Sequence, residues 1–157
     1  MRCPAAPRHV ARHTGRVPLR RSRSLDGMLD PAIRELASAG QNFGTVCLQL
    51  PSGAIASHVM WVDADDEHIM FNTEVHRAKY RALAAGTPVT MTVWKADNPY
   101  AYAEVRGHVA DTVTGPDARA HIDALSQRYT GHDYTNDIVS ERVIVKVVPD
   151  RQRSQNL

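Results

Sequence analysis

A mainly β domain, an antiparallel sheet closed into a barrel with helices at its ends, is the fold class that this sequence predicts. Three observations lead to it. Most apolar segments alternate with a period of two and follow one another through short turns rich in Pro, Gly, Asn and Asp. Only three segments carry helical spacing, whereas a doubly wound parallel sheet needs a helix after nearly every strand. The G-x-G-x-x-G and G-x-x-x-x-G-K-[ST] phosphate loops of such sheets are absent.

The 157 residues suffice for one domain with a proper core. Asp30-Pro31 followed by Ile33, Leu36 and Ala37 reads as a short helix, with Asp30 at the N-cap and Pro31 in first position, ended by Gly40. The period then changes to two. Phe43 to Leu50 and Ala54 to Val62 flank Pro51-Ser52-Gly53, a hairpin signal. Asp63-Ala64-Asp65-Asp66 makes the next turn, and it lacks the distal Glu of a calcium loop. His68 to Phe71 gives a third strand. Val75, Ala78, Ala82 and Leu83 share a helical face, closed by Gly86 and Pro88. Val89 to Trp94 and Tyr100 to Thr114 form two long strands joined by the turn Lys95-Ala96-Asp97-Asn98-Pro99. Pro116 opens a third helix carrying Ala120, Ile122, Leu125 and Tyr129, with Asp117 and His121 as a surface pair. Arg142 to Val148 is the final strand, stopped by Pro149.

Charge is unevenly spread. Residues 1–27 hold seven arginines and one acid, Asp26, and residues 28–157 hold twelve Lys and Arg against sixteen Asp and Glu. The net charge of +2 thus combines a tail of +6 with a body of −4, and it argues for no nucleic-acid partner. After Arg20-Arg21-Ser22-Arg23, the residues Asp26, Asp30, Arg34 and Glu35 interrupt the place where an export signal needs an apolar run. The tail has few large apolar residues. We therefore expect residues 1–27 to be a basic disordered arm or an extension upstream of a start at Met28, and residues 28–157 to be the folded domain. Cys3 and Cys47 make no disulfide framework, so a reducing cytoplasm is the expected compartment, and Cys47 reads as inert packing in an apolar strand. No apolar run reaches the ~18 residues of a membrane span. The eight histidines form no H-E-x-x-H pattern and no close set with cysteine, so no metal site is expected.

The stretch Phe71-Asn72-Thr73-Glu74-Val75-His76-Arg77-Ala78-Lys79-Tyr80 carries the chemistry. A strand that ends in Asn72-Thr73 and turns into a helix whose first turn holds Arg77 and Lys79 gathers backbone N–H groups, a hydroxyl and two cations. That combination is a phosphate cradle. A capped surface helix is the other reading, with Thr73 at the N-cap, Glu74 in the first turn and both cations solvated. The residues alone leave both open.

Further landmarks occur in a fixed order: Asn42-Phe43-Gly44-Thr45-Val46, Trp61-Val62-Asp63, Ile69-Met70-Phe71-Asn72-Thr73, Arg77-Ala78-Lys79, and Asn98-Pro99-Tyr100 leading into Glu104-Val105-Arg106-Gly107. Over residues 29–150 they resemble the split β-barrel proteins related to pyridoxamine 5′-phosphate oxidase. They look most like the actinobacterial branch that uses coenzyme F420, a deazaflavin. This resemblance implies an FMN-binding-like split barrel, a homodimer with two cofactor sites at its interface. It sets the cofactor phosphate against Arg77, Ala78 and Lys79, and the ring along Val59, Met60 and Trp61. Asn72 and Thr73 would face the cofactor through backbone and hydroxyl, and Trp94, Pro99 and Tyr100 would approach from the other subunit.

The implied activity is that of an F420H2-dependent reductase passing a hydride to a small conjugated or quinone-like compound. An FMN-binding protein, or a flavin or deazaflavin carrier or sensor without efficient turnover, is the alternative. Coenzyme F420 carries several carboxylates in its tail, and only Arg77, Lys79, Arg81 and Lys95 lie near the cradle in sequence. Candidate proton donors are His58 on the second strand, His76 beside the cradle, and Tyr100, each with an ordinary surface or packing reading beside it. Trp61 and Trp94 read as core anchors, Glu104 and Arg106 as an ion pair, and His132-Asp133-Tyr134 as a loop able to cover the site.

Overall fold

The computed structural model describes residues 27–157, so the expectations for the basic tail lie outside the described residues. Six antiparallel strands close into a barrel in the order β1-β2-β3-β6-β5-β4. They are β1 Phe43–Gln49, β2 Ile55–Ala64, β3 Ile69–Glu74, β4 Pro88–Lys95, β5 Asn98–Thr114 and β6 Arg142–Gln155, with helices α1 Pro31–Ser38, α2 Ala78–Arg81 and α3 Pro116–Thr130 between them. The expected class and element order are those observed.

Alternation makes the barrel. Val46 and Leu48 on β1, Val89, Met91 and Val93 on β4, and Ala103, Val105 and Val109 on β5 point inward with Ile69 and Phe71 of β3. Helix α1 plugs one end with Ile33, Leu36 and Ala37. Asp30 caps it, its Oδ1 accepting from Ala32 N at 2.9 Å. Buried Gln152 ties the same turn to β6, accepting from Asp30 N and donating to the Met28 carbonyl, each at 2.8 Å.

Every position of β3 is buried, because α3 lies over the face that the barrel interior does not use. There Ala118 packs on Met70 and Ile144, and the i, i+4, i+7 set Ala118, Ile122 and Leu125 forms the buried stripe of α3. Ala120, assigned to that stripe from the sequence, is exposed instead. Polar side chains anchor the last turn. Arg128 donates to the carbonyls of Ala37 and Val62, each at 3.2 Å, and the Tyr129 hydroxyl donates to the Asn42 carbonyl.

Several boundaries differ from expectation. β3 runs through Glu74, so Thr73 is a strand residue and no N-cap. The second helix is a single turn beginning at Ala78. The β4–β5 hairpin is tighter, with Lys95 already paired to Asn98. β6 continues past Pro149 to Gln155. Pro149 is tolerated because the β3 ladder ends at Val147, leaving one edge of β6 unpaired, and because β6 bulges there, Gly107 facing Pro149 while Arg106 faces Arg151. Cys47 lies on the outer face, its Sγ 3.4 Å from Ser57 Oγ. Among the described residues no helix is long and apolar enough to cross a membrane.

Gly107 is the point of closest approach between β5 and β6: a Cβ there would sit 2.0 Å from the Val148 carbonyl oxygen. Gly107→Ala must push two backbones apart in the longest ladder of the barrel. We expect a loss of about 1–3 kcal/mol or more, read as a lowered denaturation midpoint with an unchanged m-value.

Candidate functional site

β2 and β3 pair over only three residues, Val62–Ala64 against Ile69–Phe71. Beyond that point β2 stays with β1 and β3 stays with β6, so the barrel wall splits. The split opens a cleft of about 330 Å³ whose lining includes Val59, Met60, Trp61, Asn72, Thr73, Arg77 and Lys79. The fold thus gathers seven of the sequence-assigned residues into one hollow. Ala78 only opens the short α2 beside it.

One wall is aromatic. Trp61 stacks on Tyr129 with ring centres 5.1 Å apart and planes 12° from parallel, Phe43 tilts against Tyr129, and Tyr134 meets Trp61 edge-on at 6.2 Å. Trp61 is therefore part of a ring platform at the cleft and no core anchor. A cationic wall adjoins it, with Arg77, Lys79 and Arg142, the last with its Cζ 5.1 Å from the Tyr134 ring.

Glu74, read from sequence as a helix-turn acid, organises that wall. Its carboxylate is 1 % exposed, and it accepts from the N–H groups of Val139 and Ser140 at 2.8 and 2.9 Å. Arg77 lies 3.3 Å and Arg142 3.7 Å from its Oε1. Burial alone would raise the pKa of Glu74, but the Ser140 and Val139 N–H groups and the Arg77 guanidinium outweigh it and hold it below the usual carboxylate range. Lys79 is the opposite case. No carboxylate among the described residues lies within ion-pair distance of its Nζ, which sits 3.0 Å from Met60 Sδ. Burial, then the charges of Arg77 and Arg142, push its pKa down. A buried cation beside two like charges is stabilised by an anion.

The remaining sequence candidates lie elsewhere in the single chain. His76 bonds Ser140 Oγ at 2.7 Å and belongs to the loop anchor. His58 lines no part of the cleft, and burial followed by the Lys79 charge lowers its pKa, favouring the neutral ring. Trp94, Pro99 and Tyr100 form a separate outer groove with Tyr102 and Gln155. His121 turns inward from α3 toward Asp63, correcting its reading as a surface partner of Asp117. Glu104 pairs with Arg106 at 2.5 Å as expected, and with Arg153 as well. Sequence reasoning missed Phe43, Ile122, Leu125, Asn136 and Arg142 in the lining. Arg142 had left a signal: an arginine opening the apolar run Val143-Ile144-Val145 is costly to bury unless it has a role.

An F420 reductase of known structure superposes with a TM-score of 0.66 at 32 % identity, over 79 % of this chain and 98 % of its own. The chain belongs to the split β-barrel family of that reductase. This is the F420-dependent branch of the barrels related to pyridoxamine 5′-phosphate oxidase. Two more distant barrels share the fold. A conserved hypothetical protein of Mycobacterium tuberculosis matches at 22 % identity with a TM-score of 0.61, over 85 % of this chain and 89 % of its own. A Listeria innocua protein named for pyridoxamine 5′-phosphate oxidase matches at 17 % with 0.55, over 80 % and 94 %. No family model and no curated protein sequence matches the chain. The fold is thus that of flavin- and deazaflavin-binding, oxidoreductase-type barrels.

Removing the Glu74 carboxylate leaves the Val139 and Ser140 N–H groups and the Arg77 guanidinium without their acceptor, and buried Arg142 without its ion-pair partner. Glu74→Ala is expected to cost about 3–5 kcal/mol in denaturant unfolding. Because the folded pKa is depressed, this stabilisation is complete above the unfolded value of about 4.3 and is lost as pH falls through the lower folded value. Glu74→Gln should flatten that acid limb of the stability profile.

Proposed function

We propose that the cleft of this split barrel binds coenzyme F420, and that the protein is an F420H2-dependent reductase of a small conjugated or quinone-like compound. The observation that carries this reading is Lys79, half-buried, with no carboxylate partner among the described residues, and lying with Arg77 and Arg142 in a cleft that the stacked Trp61 also lines. That donor set fits a group with a planar ring at one end and a phosphate at the other. Arg77, Lys79 and Arg142 would hold the phosphate, while Val59, Met60 and Trp61 would line the ring.

When bound, the reduced deazaflavin supplies a hydride. The chain's own residues orient and enclose. The rigid strands β2 and β3 fix the two walls, Ile122 and Leu125 give an apolar floor, and Tyr134 covers the edge of Trp61, so that water is kept from the ring.

We further propose a homodimer formed across the outer face of β2-β1-β4-β5. Trp61, Phe43, Trp94 and Tyr102 stand in one cross-strand row leading from the cleft to the groove of Pro99 and Tyr100. The same face exposes Val59 at 67 % and Ile55 at 70 %. A second copy there would bring its Trp94, Pro99 and Tyr100 toward the cofactor. Tyr100, 74 % exposed in the single chain, is then the proton-donor candidate we retain. FMN is the second reading, favoured by one observation: the cleft of one chain offers a single cationic cluster, enough for one phosphate, and neither Arg81 nor Lys95 lines it.

Fluorescence titration with F420 and FMN in parallel tests the proposal. Tighter binding of F420 is expected; preference for FMN moves the protein to the second reading, and binding of neither overturns both. Lys79→Ala should weaken the preferred cofactor by about 1.5–3 kcal/mol, roughly ten- to hundred-fold in Kd. Since an anion raises a pKa that the free cleft depresses, affinity should be full below the lowered Lys79 pKa and fall as pH rises through it. Lys79→Arg should bind without that fall.

A further inference from the structure

Asn72 lines the cleft, yet its amide is spent inside the protein. Arg142 Nε donates to its Oδ1 at 2.7 Å, and its Nδ2 donates to the Ala118 carbonyl at 2.8 Å. These bonds fix the amide, since the reversed group would set N–H against N–H at Arg142 and oxygen against oxygen at Ala118. The second Nδ2 hydrogen then meets His121 Nδ1, 3.2 Å away. Only a lone pair is compatible there, so His121 carries its proton on Nε2. Nε2 is buried and lies 3.3 Å from Asp63 Oδ2 without a formed hydrogen bond among the described residues. Arg128 holds the other Asp63 oxygen at 2.9 Å.

We propose that His121 is a positioning residue which, acting through Asn72, holds the Arg142 guanidinium in place on the cationic wall of the cleft. The proposal rests on reading that wall as the anion site. Packing of α3 on the sheet does not require such a chain of polar groups, because α3 already meets β3 and β6 through apolar side-chain contact at Ala118, Met70 and Ile144. A long arginine side chain has many rotamers, and fixing it before the ligand arrives removes that entropy from the binding step. Arg142 is held on three sides: by Asn72 at Nε, by Glu74 at 3.7 Å, and by the Tyr134 ring 5.1 Å from its Cζ. His121 secures the first of these through Asn72.

The test uses the full chain with His121→Ala, His121→Gln, Asn72→Ala and the His121→Ala/Asn72→Ala pair. Nitrogen NMR of the free protein reports the His121 tautomer and the solvent exchange of the Arg142 Nε–H, and F420 and FMN titrations report affinity. We expect His121 protonated on Nε2 in the wild type, and Nε–H exchange about tenfold faster in His121→Ala. His121→Gln, whose Oε1 can accept from Asn72, should restore most of the protection. The His121→Ala effect should vanish in the Asn72→Ala background. An Nδ1–H tautomer, unchanged exchange in His121→Ala, no rescue by Gln, or additive effects would each overturn the proposal. If the exchange pattern holds while neither cofactor binds, the positioning of Arg142 stands and the cofactor reading fails.

Discussion

A carboxylate sealed from water at the end of β3 is the constraint on which the rest of the site depends. An unpaired buried charge would cost several kcal/mol, so the surrounding chain must answer it. Four groups do: the N–H groups of Val139 and Ser140, and the guanidinium groups of Arg77 and Arg142. They come from the segment entering α2, the loop after α3 and the start of β6. Glu74 therefore fixes where the segment entering α2 meets the chain that runs from the loop after α3 into β6. The bond from Val75 N to the Glu141 carbonyl at 3.0 Å closes the same junction through the backbone. Three cations against this one carboxylate leave the wall positive, which is the electrostatic ground for an anion in the cleft.

The cleft itself is a consequence of strand pairing. With only three residues of β2 paired to β3, the outer half of β2 is free to lean away, and the space between is bounded by whatever each strand carries. β2 carries Met60 and Trp61, and β3 carries Asn72, Thr73 and Glu74. Helix α3 closes the remaining side. Its attachment through Arg128 and Tyr129 to backbone carbonyls of α1, β2 and Asn42, just before β1, sets the height of Tyr129 beneath Trp61. The aromatic wall is thus positioned by hydrogen bonds made on the far side of the residues that form it.

Period-two alternation and turn residues made the strands and their order legible in the sequence, because each strand has one face in the barrel. β3 was under-read for the opposite reason. Covered on both faces, it shows no alternation after Phe71, and Asn72-Thr73-Glu74 looks like a polar helix start. Pro149 misled because its meaning depends on whether the neighbouring edge is paired, which is a tertiary fact. At the site, Arg77 and Lys79 were legible as clustered cations following a strand. Arg142 is remote in sequence and was not assigned to the site, whereas Tyr134 was read within a loop able to cover it. His121 was misread because helix spacing names its neighbour on the same helix, and it faces Asp63 across to another element.

The structure changes how the anion would be recognised. The sequence suggested a cradle of backbone N–H groups, a hydroxyl and two cations; of these, the amides leading into the one-turn α2 are already committed. Val75 N donates to the Glu141 carbonyl, His76 N to Ser140 Oγ at 3.3 Å, and Arg77 N to the Glu74 carbonyl at 3.1 Å. Recognition then falls to side chains, two guanidinium forks and one ammonium. Forks read the geometry of a phosphate through paired hydrogen bonds, while the ammonium reads mainly charge. A site of this kind needs its forks fixed in advance. The buried partners of Arg77 and Arg142 supply that fixation, whereas Lys79, with the Met60 thioether and no carboxylate against it among the described residues, is left for the ligand to neutralise.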